Sequence, residues 1–288
     1  MSNIRSRPLG LFLALAAQLA VGDLAGAATP PDTAPTVLIT GSSRGIGLEF
    51  ARQYADMGWR VIATCRDPAG ARELQQLAAK HGNLTVEAMD ITSAAGIAAA
   101  AAKYRDQPID VLVNNAAHLG PRSTQQFGQL DWDLFGESFQ TNAVGPMRVI
   151  QAFAANVATS RQKRIVTLSS AAGSIAALST SPVQFYQYRA SKAALNMLMH
   201  GIALDLAGRG IVVGIVNPGL VDTRGIMALK PGDSVPDAFV PLMPLVKSGA
   251  LKLISPAESV GAMIRLIAGL TPAQSGRFLN YDGQPLPW

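Results

Sequence analysis

Short apolar runs alternate with longer helix-forming patterns from Thr36 to the end of the 288-residue chain, and this order limits the fold more than any other feature. The predicted strands cover residues 37–40, 59–65, 84–88, 109–113, 164–168, 211–216 and 276–280, and the predicted helices cover 46–57, 68–81, 93–104, 131–159, 187–208 and 255–268. Strands that alternate with helices imply parallel pairing through right-handed crossovers. Because the strands are apolar throughout, both faces of the sheet should be covered. We therefore predict a single doubly wound α/β domain over residues 36–288.

The first 28 residues have the pattern of a secretory signal peptide. Two arginines precede an apolar stretch at residues 9–21, and the small residues Ala25-Gly26-Ala27 follow, as a signal peptidase requires. The stretch is shorter than the roughly 20 residues that span a membrane, and no other segment is apolar enough, so we predict no integral membrane span. An uncleaved extension or a start codon placed too early is the alternative. Residues 29–35 are rich in proline and are predicted to be a linker.

Composition and charge exclude several classes of protein. Hydrophobic residues make up 49% of the chain and charged residues 15%, which excludes a disordered class and indicates a sizeable core. The net charge is +5, but the positive residues are spread without a Lys/Arg run, so we predict no nucleic-acid partner. Cys65 is the only cysteine, which excludes an intrachain disulfide, and its apolar surroundings predict a core position. The histidines lack metal-ligand spacing, so no metal site is predicted; they are His81, His118 and His200.

A glycine-rich turn follows the first predicted strand, in the sequence Thr40-Gly41-Ser42-Ser43-Arg44-Gly45-Ile46-Gly47. Gly41 permits the sharp turn, Gly45 lets a pyrophosphate approach the backbone, and Gly47 lets the helix pack close to the sheet. The N-terminus of the helix then faces the phosphates with the positive end of its dipole. An ordinary strand–helix turn is the alternative, but the position after the first strand favours a dinucleotide site. The candidate cofactor-binding residues here are Gly41, Ser43, Arg44, Gly45, Ile46 and Gly47.

The residue that would face the adenosine ribose indicates which dinucleotide binds. NAD-specific proteins of this kind place an acidic residue about 20 positions after the turn, where it holds the ribose 2′-hydroxyl. Arg66 occupies that place, just after the second strand, and Arg44 adds a second guanidinium group within the turn. Because arginine pairs bidentately with phosphate, the two arginines favour NADP(H) over NAD(H). The alternative is that both are solvated surface charges.

Tyr188 and Lys192 stand one helical turn apart in Tyr-Arg-Ala-Ser-Lys and are the candidate proton donor and its helper. Residues i and i+4 share a face of a helix, so both side chains should project toward the carboxyl edge of the sheet, where ligands of such folds bind. A free tyrosine has a pKa of about 10. A nearby ammonium group favours phenolate, so Lys192 is expected to lower the pKa of Tyr188 toward neutral pH. A chance pairing is the alternative that so short a motif leaves open.

Ser170 and Asn142 are further candidates. Ser170 ends the fifth predicted strand and could hydrogen-bond a substrate carbonyl, whereas Ser169 points to the opposite face, so only one of the two can serve. A satisfied hydroxyl at a strand end is the alternative. Asn142 lies just before Gly145-Pro146, where its helix is expected to bend, and could hold a water that relays protons to Lys192. A solvent-facing asparagine is the alternative there.

At these residues the chain resembles the short-chain dehydrogenase/reductase family over about residues 36–288. The glycine turn has that family's Thr-Gly-x-x-x-Gly-x-Gly spacing, and Asn114-Asn115-Ala116-Ala117 resembles its Asn-Asn-Ala-Gly motif. The resemblance implies a Rossmann-type fold and a catalytic tetrad of Asn142, Ser170, Tyr188 and Lys192. It also implies that Asp90 contacts the adenine and that the segment from Pro218 packs on the nicotinamide. The cofactor-binding residues implied beyond the turn are Asp90, Ile91, Asn115, Ala116, Ala117, Tyr188, Lys192, Pro218, Gly219, Val221 and Thr223.

Within that family the chain is most similar to the sniffer-like carbonyl reductases and the bacterial C-factor group. The similarity rests on Thr64-Cys65-Arg66-Asp67, on residues 188–196 and on the C-terminal stretch 275–288. Two features depart from that group. The segment 224–254 is longer, and a signal-like leader is unexpected in a protein that uses NADPH, a cytoplasmic cofactor. Localisation therefore stays open between export, for instance to a periplasm, and the cytoplasm.

Together these features predict an NADPH-dependent oxidoreductase that reduces an aldehyde or ketone, or oxidises the matching alcohol, by hydride transfer with Tyr188 as general acid/base. Substrate selection is expected in residues 222–255, as an apolar lid over the cleft, with a packed surface loop or subunit contact as the alternative. The apolar residues there are Met227, Phe239, Leu242, Met243 and Leu245. The competing function is an NADP(H)-binding signalling protein of the C-factor type that needs no turnover, and an epimerase or dehydratase is a lesser one. Family analogy implies a homodimer or homotetramer.

Overall fold

The computed structural model describes residues 34–177, 184–230 and 232–288. The predicted leader, residues 1–28, and residues 29–33 of the predicted linker lie outside the described residues. The strands are β1 Thr36–Thr40, β2 Arg60–Cys65, β3 Leu84–Ala88, β4 Val111–Asn114, β5 Arg164–Leu168, β6 Val212–Asn217, β7 Leu220–Val221, β8 Leu253–Ile254 and β9 Phe278–Asn280. The α-helices are α1 Gly45–Asp56, α2 Arg72–Lys80, α3 Ala94–Lys103, α4 Trp132–Phe139, α5 Gly145–Ala158, α6 Tyr186–Ala207, α7 Met243–Lys247 and α8 Pro256–Gly269. Among the described helices, none has the length and apolarity that crossing a membrane requires.

Seven parallel strands form one sheet in the order β3-β2-β1-β4-β5-β6-β9. The strand order reverses at β1, which pairs with β2 on one side and with β4 on the other. Ligands of doubly wound sheets bind in the crevice at such a switch point, beyond the carboxyl ends of the strands. The glycine turn follows β1 and the Asn-Asn-Ala-Ala segment begins at the end of β4, so both lie at this crevice. The doubly wound α/β fold predicted from the sequence is confirmed.

Helices cover both faces of the sheet, which explains why the strands are apolar throughout. Within β1, Val37 and Ile39 pack into a core shared with α1 and α8, and Leu38 packs into a second core shared with α5 and α6. All three side chains are fully buried. Cys65 lies in the first of these cores, as predicted.

The long predicted helix over residues 131–159 is interrupted. A π-helical stretch, Gln140–Val144, separates α4 from α5 and immediately precedes the predicted bend at Gly145-Pro146. Pro146 has no N–H group to donate to the carbonyl of Asn142, four residues earlier, so the ordinary helical ladder cannot continue there. The predicted helix over residues 68–81 is also shorter than expected, because residues 68–70 form a turn before α2.

The segment 222–252 leaves and re-enters the domain through a small two-stranded sheet. In this sheet β7 pairs with β8, with Leu220 opposite Leu253 and Val221 opposite Ile254. The N–H of Asp222 also donates to the carbonyl of Ile254 at 2.8 Å. The sequence pattern does not predict β7, β8 or α7, because strands of two residues and a helix of five residues show too little periodicity. The base of this long segment is therefore fixed to the domain.

Candidate active site

The glycine turn forms a cradle that side chains would fill. Gly41 and Gly45 have φ angles of 68° and 58°, a conformation that favours glycine. A Cβ atom on Gly41 would lie 2.7 Å from the Cα of Ala116, and one on Gly47 would lie 2.2 Å from the carbonyl oxygen of Gly41. Arg44 precedes α1 without a capping side-chain hydrogen bond, so the first amide groups of the helix remain available to an anion. The turn therefore fits the pyrophosphate of a dinucleotide.

Thr40 and Asn115 hold this turn in place. The hydroxyl oxygen of Thr40 accepts the N–H groups of Asn115 and Ala116 at 3.0 and 3.1 Å. The side-chain amide of Asn115 donates to the carbonyls of Thr40 and Gly41, each at 2.9 Å. The Asn115 side chain thus stabilises the turn. A cofactor contact by this residue would have to come from its backbone. Thr40 was not among the predicted site residues, although its place at the strand end beside the turn is a signal for such a role.

The other predicted cofactor residues lie around the crevice, but two of them direct their side chains into the core. Those with accessible surface are Ser43, Ile46, Asp90, Ala116 and Ala117. Ile91 and Val221 are buried, so only their backbone groups can contact a cofactor. The Ile91 side chain packs against the start of α5, where a Cβ on Gly145 would lie 2.9 Å from its Cδ1 atom.

Arg44 and Arg66 are both exposed. Within the described part of the chain, neither guanidinium group forms a hydrogen bond or an ion pair. The neighbouring Asp67 directs Oδ1 to the N–H of Gly70 at 3.0 Å. Both arginines therefore remain free to pair with a phosphate group, as the sequence predicts.

The segment after β6 reaches back over the glycine turn. The carbonyl of Pro218 accepts the hydroxyl of Ser259 at 2.6 Å, which ties the segment to α8. Gly219 has a φ angle of 84°, which favours glycine. The Cγ2 atom of Thr223 lies 3.3 Å from where a Cβ on Gly45 would be. Thr223 therefore faces the cradle, in the place that the family resemblance implies.

Ser170 and Tyr188 are brought together at the carboxyl end of β5. Their side chains lie close enough for the Ser170 hydroxyl to act on the pKa of the phenol. Ser170 Oγ also accepts the N–H of Ala172 at 3.1 Å. Ser169 points the other way and donates to Oδ1 of Asn196. Of the two adjacent serines, Ser170 is therefore the one that reaches the site.

Lys192 lies beside Tyr188, as the i, i+4 spacing predicts. Its Nζ atom is 5.8 Å from the centroid of the tyrosine ring. The residue is only 2% exposed, and Nζ donates to the carbonyl of Leu168 at 2.8 Å. Burial lowers the pKa of Lys192 to about 7. Near neutral pH the side chain is therefore divided between ammonium and amine.

The pKa of Tyr188 shifts in the direction opposite to the prediction. Burial raises the pKa of Tyr188, and the neighbouring Ser170 hydroxyl offsets only part of that rise. The predicted lowering assumed a permanent ammonium group nearby, but burial of Lys192 disfavours its charged form as well. At neutral pH the phenol thus stays protonated, which is the form that can donate a proton.

Asn142 lies in the π-helical stretch and is fully buried, so the solvent-facing alternative is wrong. Its Oδ1 atom accepts the N–H of His118 at 2.7 Å, and its amide group donates to the carbonyl of His118 at 2.7 Å and to Ser191 Oγ at 2.9 Å. Ser191 Oγ in turn donates to the carbonyl of Tyr188 at 2.8 Å. The side chain of Asn142 therefore ties the loop after β4 to the first turns of α6.

Two further features of the described residues bear on the site. No group of three or more His, Cys, Asp or Glu side chains within those residues could hold a metal ion. A cavity of about 400 Å³ lies between α1, α2 and the start of the segment 222–252. It touches the cradle at Gly45 and Thr223, but none of the predicted catalytic residues lines it.

Known proteins match this chain in sequence and in fold. The family model for short chain dehydrogenases matches residues 35–233. An NADPH-bound carbonyl reductase from chicken fatty liver is 33% identical, with a TM-score of 0.74 over 88% of this chain and 99% of that chain. The carbonyl reductase Sniffer of D. melanogaster is 27% identical, with a TM-score of 0.73 over 88% of this chain and 100% of that chain. The C-signal protein of Myxococcus xanthus is 34% identical over 181 residues, which are 63% of this chain and 93% of that protein.

The region matched by the family model contains the glycine cradle and all four residues of the predicted tetrad. The seven-stranded parallel sheet agrees with the fold of the two carbonyl reductases. The chain therefore belongs to the short-chain dehydrogenase/reductase family of oxidoreductases, and within it resembles the sniffer-like carbonyl reductases.

Proposed function

We propose that this protein is an NADP(H)-dependent oxidoreductase that reduces an aldehyde or ketone, or oxidises the matching alcohol. One observation carries the proposal: Tyr188 stands beside the hydroxyl of Ser170, and Lys192 Nζ lies 5.8 Å from the centroid of the tyrosine ring. These groups stand at the sheet edge that also holds the dinucleotide cradle. A phenol, a hydroxyl and a titratable amine in one cleft are suited to protonate a carbonyl oxygen as it is reduced.

The residues of the crevice fit NADP(H). The cradle of Gly41, Gly45 and Gly47 suits a pyrophosphate, and Arg44 and Arg66 offer guanidinium groups for a ribose 2′-phosphate. When bound, NADPH supplies the hydride that reduces the carbonyl carbon. The NADPH-bound carbonyl reductase of similar fold supports this choice of cofactor. Arg66→Asp should raise KM for NADPH more than KM for NADH, and equal changes would speak against the assignment.

Tyr188 is assigned the role of general acid. Its raised pKa keeps the proton on the phenol until negative charge develops on the substrate oxygen, which Ser170 orients through its hydroxyl. Proton donation of this kind contributes about 10²- to 10⁴-fold to the rate. Lys192, with a pKa of about 7, is suited to supply the replacement proton after each turnover.

The path of that replacement proton is assigned to the backbone at Asn142. Its side chain is committed to His118 and Ser191 and cannot also serve as the main water ligand. Its carbonyl, however, lacks the ordinary helical donor, because Pro146 has no N–H group. A water held at this carbonyl would relay protons toward Lys192.

Substrate selection is assigned to residues 222–255, acting as a lid. The base of this segment is fixed by the pairing of β7 with β8, and Asp237 forms an ion pair with Arg122, in the loop after β4, at 3.0 Å. Of the apolar residues predicted to line a lid, Met227 is exposed and the other four are half-buried, so none belongs to the core; these four are Phe239, Leu242, Met243 and Leu245. A surface loop or subunit contact is the competing role.

The proposal includes a homodimer that forms through the outer face of α6. Five apolar residues of α6 recur at helical spacing and share one face; they are Tyr186, Ala190, Ala193, Met197 and Leu204. Tyr186, Met197 and Leu204 are exposed, and exposed apolar side chains in a row often mark an interface. Sedimentation of the wild type should give a dimer and Met197→Glu should give a monomer. A monomeric wild type would contradict this assembly.

The competing function is signalling by an NADP(H)-binding protein that needs no turnover. The similarity to the C-signal protein favours it, and the residues gathered around Tyr188 argue against a purely binding role. Tyr188→Phe separates the two, because it removes the proton donor and leaves the cradle intact. Biological activity that survives in this variant while NADPH still binds would favour signalling.

The direct experiment follows NADPH absorbance with a panel of aldehydes, ketones and quinones. We expect NADPH oxidation with at least one carbonyl compound, and a loss of about 10²-fold or more in kcat for Tyr188→Phe. No oxidation with any of them, or an unchanged Tyr188→Phe variant, would refute the reductase. An epimerase or dehydratase would instead convert substrate without net NADPH consumption.

Export is proposed on the pattern of residues 1–28, while the use of NADPH favours the cytoplasm. N-terminal sequencing of the protein made in its own cells distinguishes the two. A mature chain that begins near Thr29 supports export, and an intact Met1 contradicts it.

A further inference from the structure

The first turn of α6, which carries Tyr188, has no capping side chain of its own. Phe185 is its N-cap residue, with a φ of 21° and a ψ of 58° and without a side-chain hydrogen bond to the helix. The N–H of Arg189 makes the bond to the carbonyl of Phe185, at 2.8 Å. The amide groups of the three residues between them must find partners outside the helix. Two of these amides belong to Tyr186 and Tyr188.

Gln125, in the loop after β4, supplies the partners for both. Its Oε1 atom accepts the N–H of Tyr188 at 3.1 Å, and its backbone carbonyl accepts the N–H of Tyr186 at 3.2 Å. The residue is fully buried, and its Nε2 atom donates to the carbonyls of Leu119 at 2.6 Å and Pro121 at 3.2 Å. The amide is therefore fixed at one end to its own loop and bonded at the other end to the tyrosine's backbone.

A second buried glutamine docks the same loop without bonding to the amide of Tyr188. Gln187 donates from Nε2 to the carbonyls of Thr124 and Asp131, at 2.9 and 2.8 Å. Gln187 is also fully buried. The two glutamines thus share their side chain, their burial and the loop that they hold. Of the two glutamine side chains, only that of Gln125 hydrogen-bonds the backbone of Tyr188, which makes Gln187 a matched comparison.

We propose that Gln125 is a positioning residue for Tyr188. It caps the start of α6 from a distant loop and so fixes the place of the phenol relative to Ser170. The inference rests on the proposed function, in which Tyr188 donates a proton. The side chain of Gln125 bonds only to its own loop and to α6. Loss of this side chain should therefore disturb proton donation rather than cofactor binding. A misplacement of about 1 Å can cost about 10²-fold in rate.

The test compares Gln125→Met with Gln187→Met, and uses Gln126→Ala, at an exposed neighbour, as the control. Gln125→Met should lower kcat by about 10- to 100-fold and raise the solvent isotope effect on kcat, because proton donation becomes slower. The NADPH dissociation constant should stay within about twofold, and Gln187→Met should lower kcat by no more than about threefold, because it leaves the Tyr188 amide bonded. If Gln125→Met does not fold, Gln125→Asn, whose shorter side chain withdraws the acceptor, carries the same expectation.

A second measurement needs no turnover. Hydrogen exchange of the amides at residues 186–188 should accelerate in the Gln125 variants and not in Gln126→Ala. Unchanged exchange, or equal losses of kcat in the Gln125 and Gln187 variants without a larger isotope effect, would overturn the inference. If exchange accelerates but the wild type oxidises NADPH with no carbonyl compound, the capping of α6 by Gln125 is supported and the proposed function fails.

Discussion

Replacing Lys192 by methionine should abolish turnover and yet stabilise the folded protein at neutral pH, because the buried ammonium group is costly. Burial lowers the pKa of Lys192 from 10.5 to about 7. Each pKa unit corresponds to about 1.4 kcal/mol, so the buried charge reduces the free energy of unfolding by about 5 kcal/mol below pH 7. Methionine removes this cost but leaves the carbonyl of Leu168 without its donor, which costs about 1–3 kcal/mol. The variant should therefore be more stable by roughly 2–4 kcal/mol.

The advantage of the methionine variant should shrink as pH rises. Below pH 7 the lysine is protonated in both the folded and the unfolded chain, and the full penalty applies. Between about pH 7 and 10.5 the unfolded chain holds a proton that the folded chain has released, so the wild type gains about 1.4 kcal/mol per pH unit. In the methionine variant, residue 192 does not titrate and adds no pH dependence to the free energy of unfolding.

Urea unfolding of both proteins from about pH 6 to about pH 9 measures this difference directly. Lys80→Met, on the exposed face of α2, is the control and should follow the wild type. A stability difference between wild type and Lys192→Met that stays constant across the range would refute the reasoning. So would a methionine variant that is less stable than the wild type at pH 7.

Three further substitutions test the cradle, the serine and the lid. Gly47→Ala should weaken NADPH binding by about tenfold or more in a fluorescence titration, because the new Cβ would lie 2.2 Å from the carbonyl oxygen of Gly41. Ser170→Ala should lower kcat by about 10²-fold in steady-state kinetics with little change in NADPH affinity, because it removes the hydroxyl beside the Tyr188 phenol that is proposed to orient the substrate oxygen. Asp237→Asn should raise the substrate KM by up to about fivefold at low salt, since the exposed ion pair with Arg122 contributes up to about 1 kcal/mol, and added salt should erase the difference.

For each of these predictions there is a control variant or a result that would contradict it. Gly136→Ala adds a Cβ with no atom within 4 Å and should leave NADPH binding unchanged. Ser169→Ala removes a hydroxyl that bonds Asn196 and should alter stability rather than kcat. Equal kcat values for the Ser169 and Ser170 variants would show that the serine was misassigned. A wild-type KM that does not rise with salt toward that of Asp237→Asn would show that the ion pair does not hold the lid.

Sequence alone was sufficient for the fold class and for nominating the residues that we propose carry the chemistry. The apolar strands, the spacing of Gly41, Gly45 and Gly47, and the i, i+4 relation of Tyr188 and Lys192 are local properties of the chain. The structure confirms the doubly wound sheet and brings Lys192 beside the ring of Tyr188. Such patterns can be recognised in a sequence because the periodicities of strands and helices repeat within a few residues.

Tertiary structure decided the charge states and the supporting contacts. The pKa of Tyr188 rises instead of falling, because burial acts on the phenol and on Lys192 together. Asn142 bonds His118, 24 positions away, and Gln125 bonds Tyr188, 63 positions away. Desolvation and hydrogen bonds between distant segments depend on how the whole chain packs. No local spacing of residues encodes them, and they therefore became visible only in the folded protein.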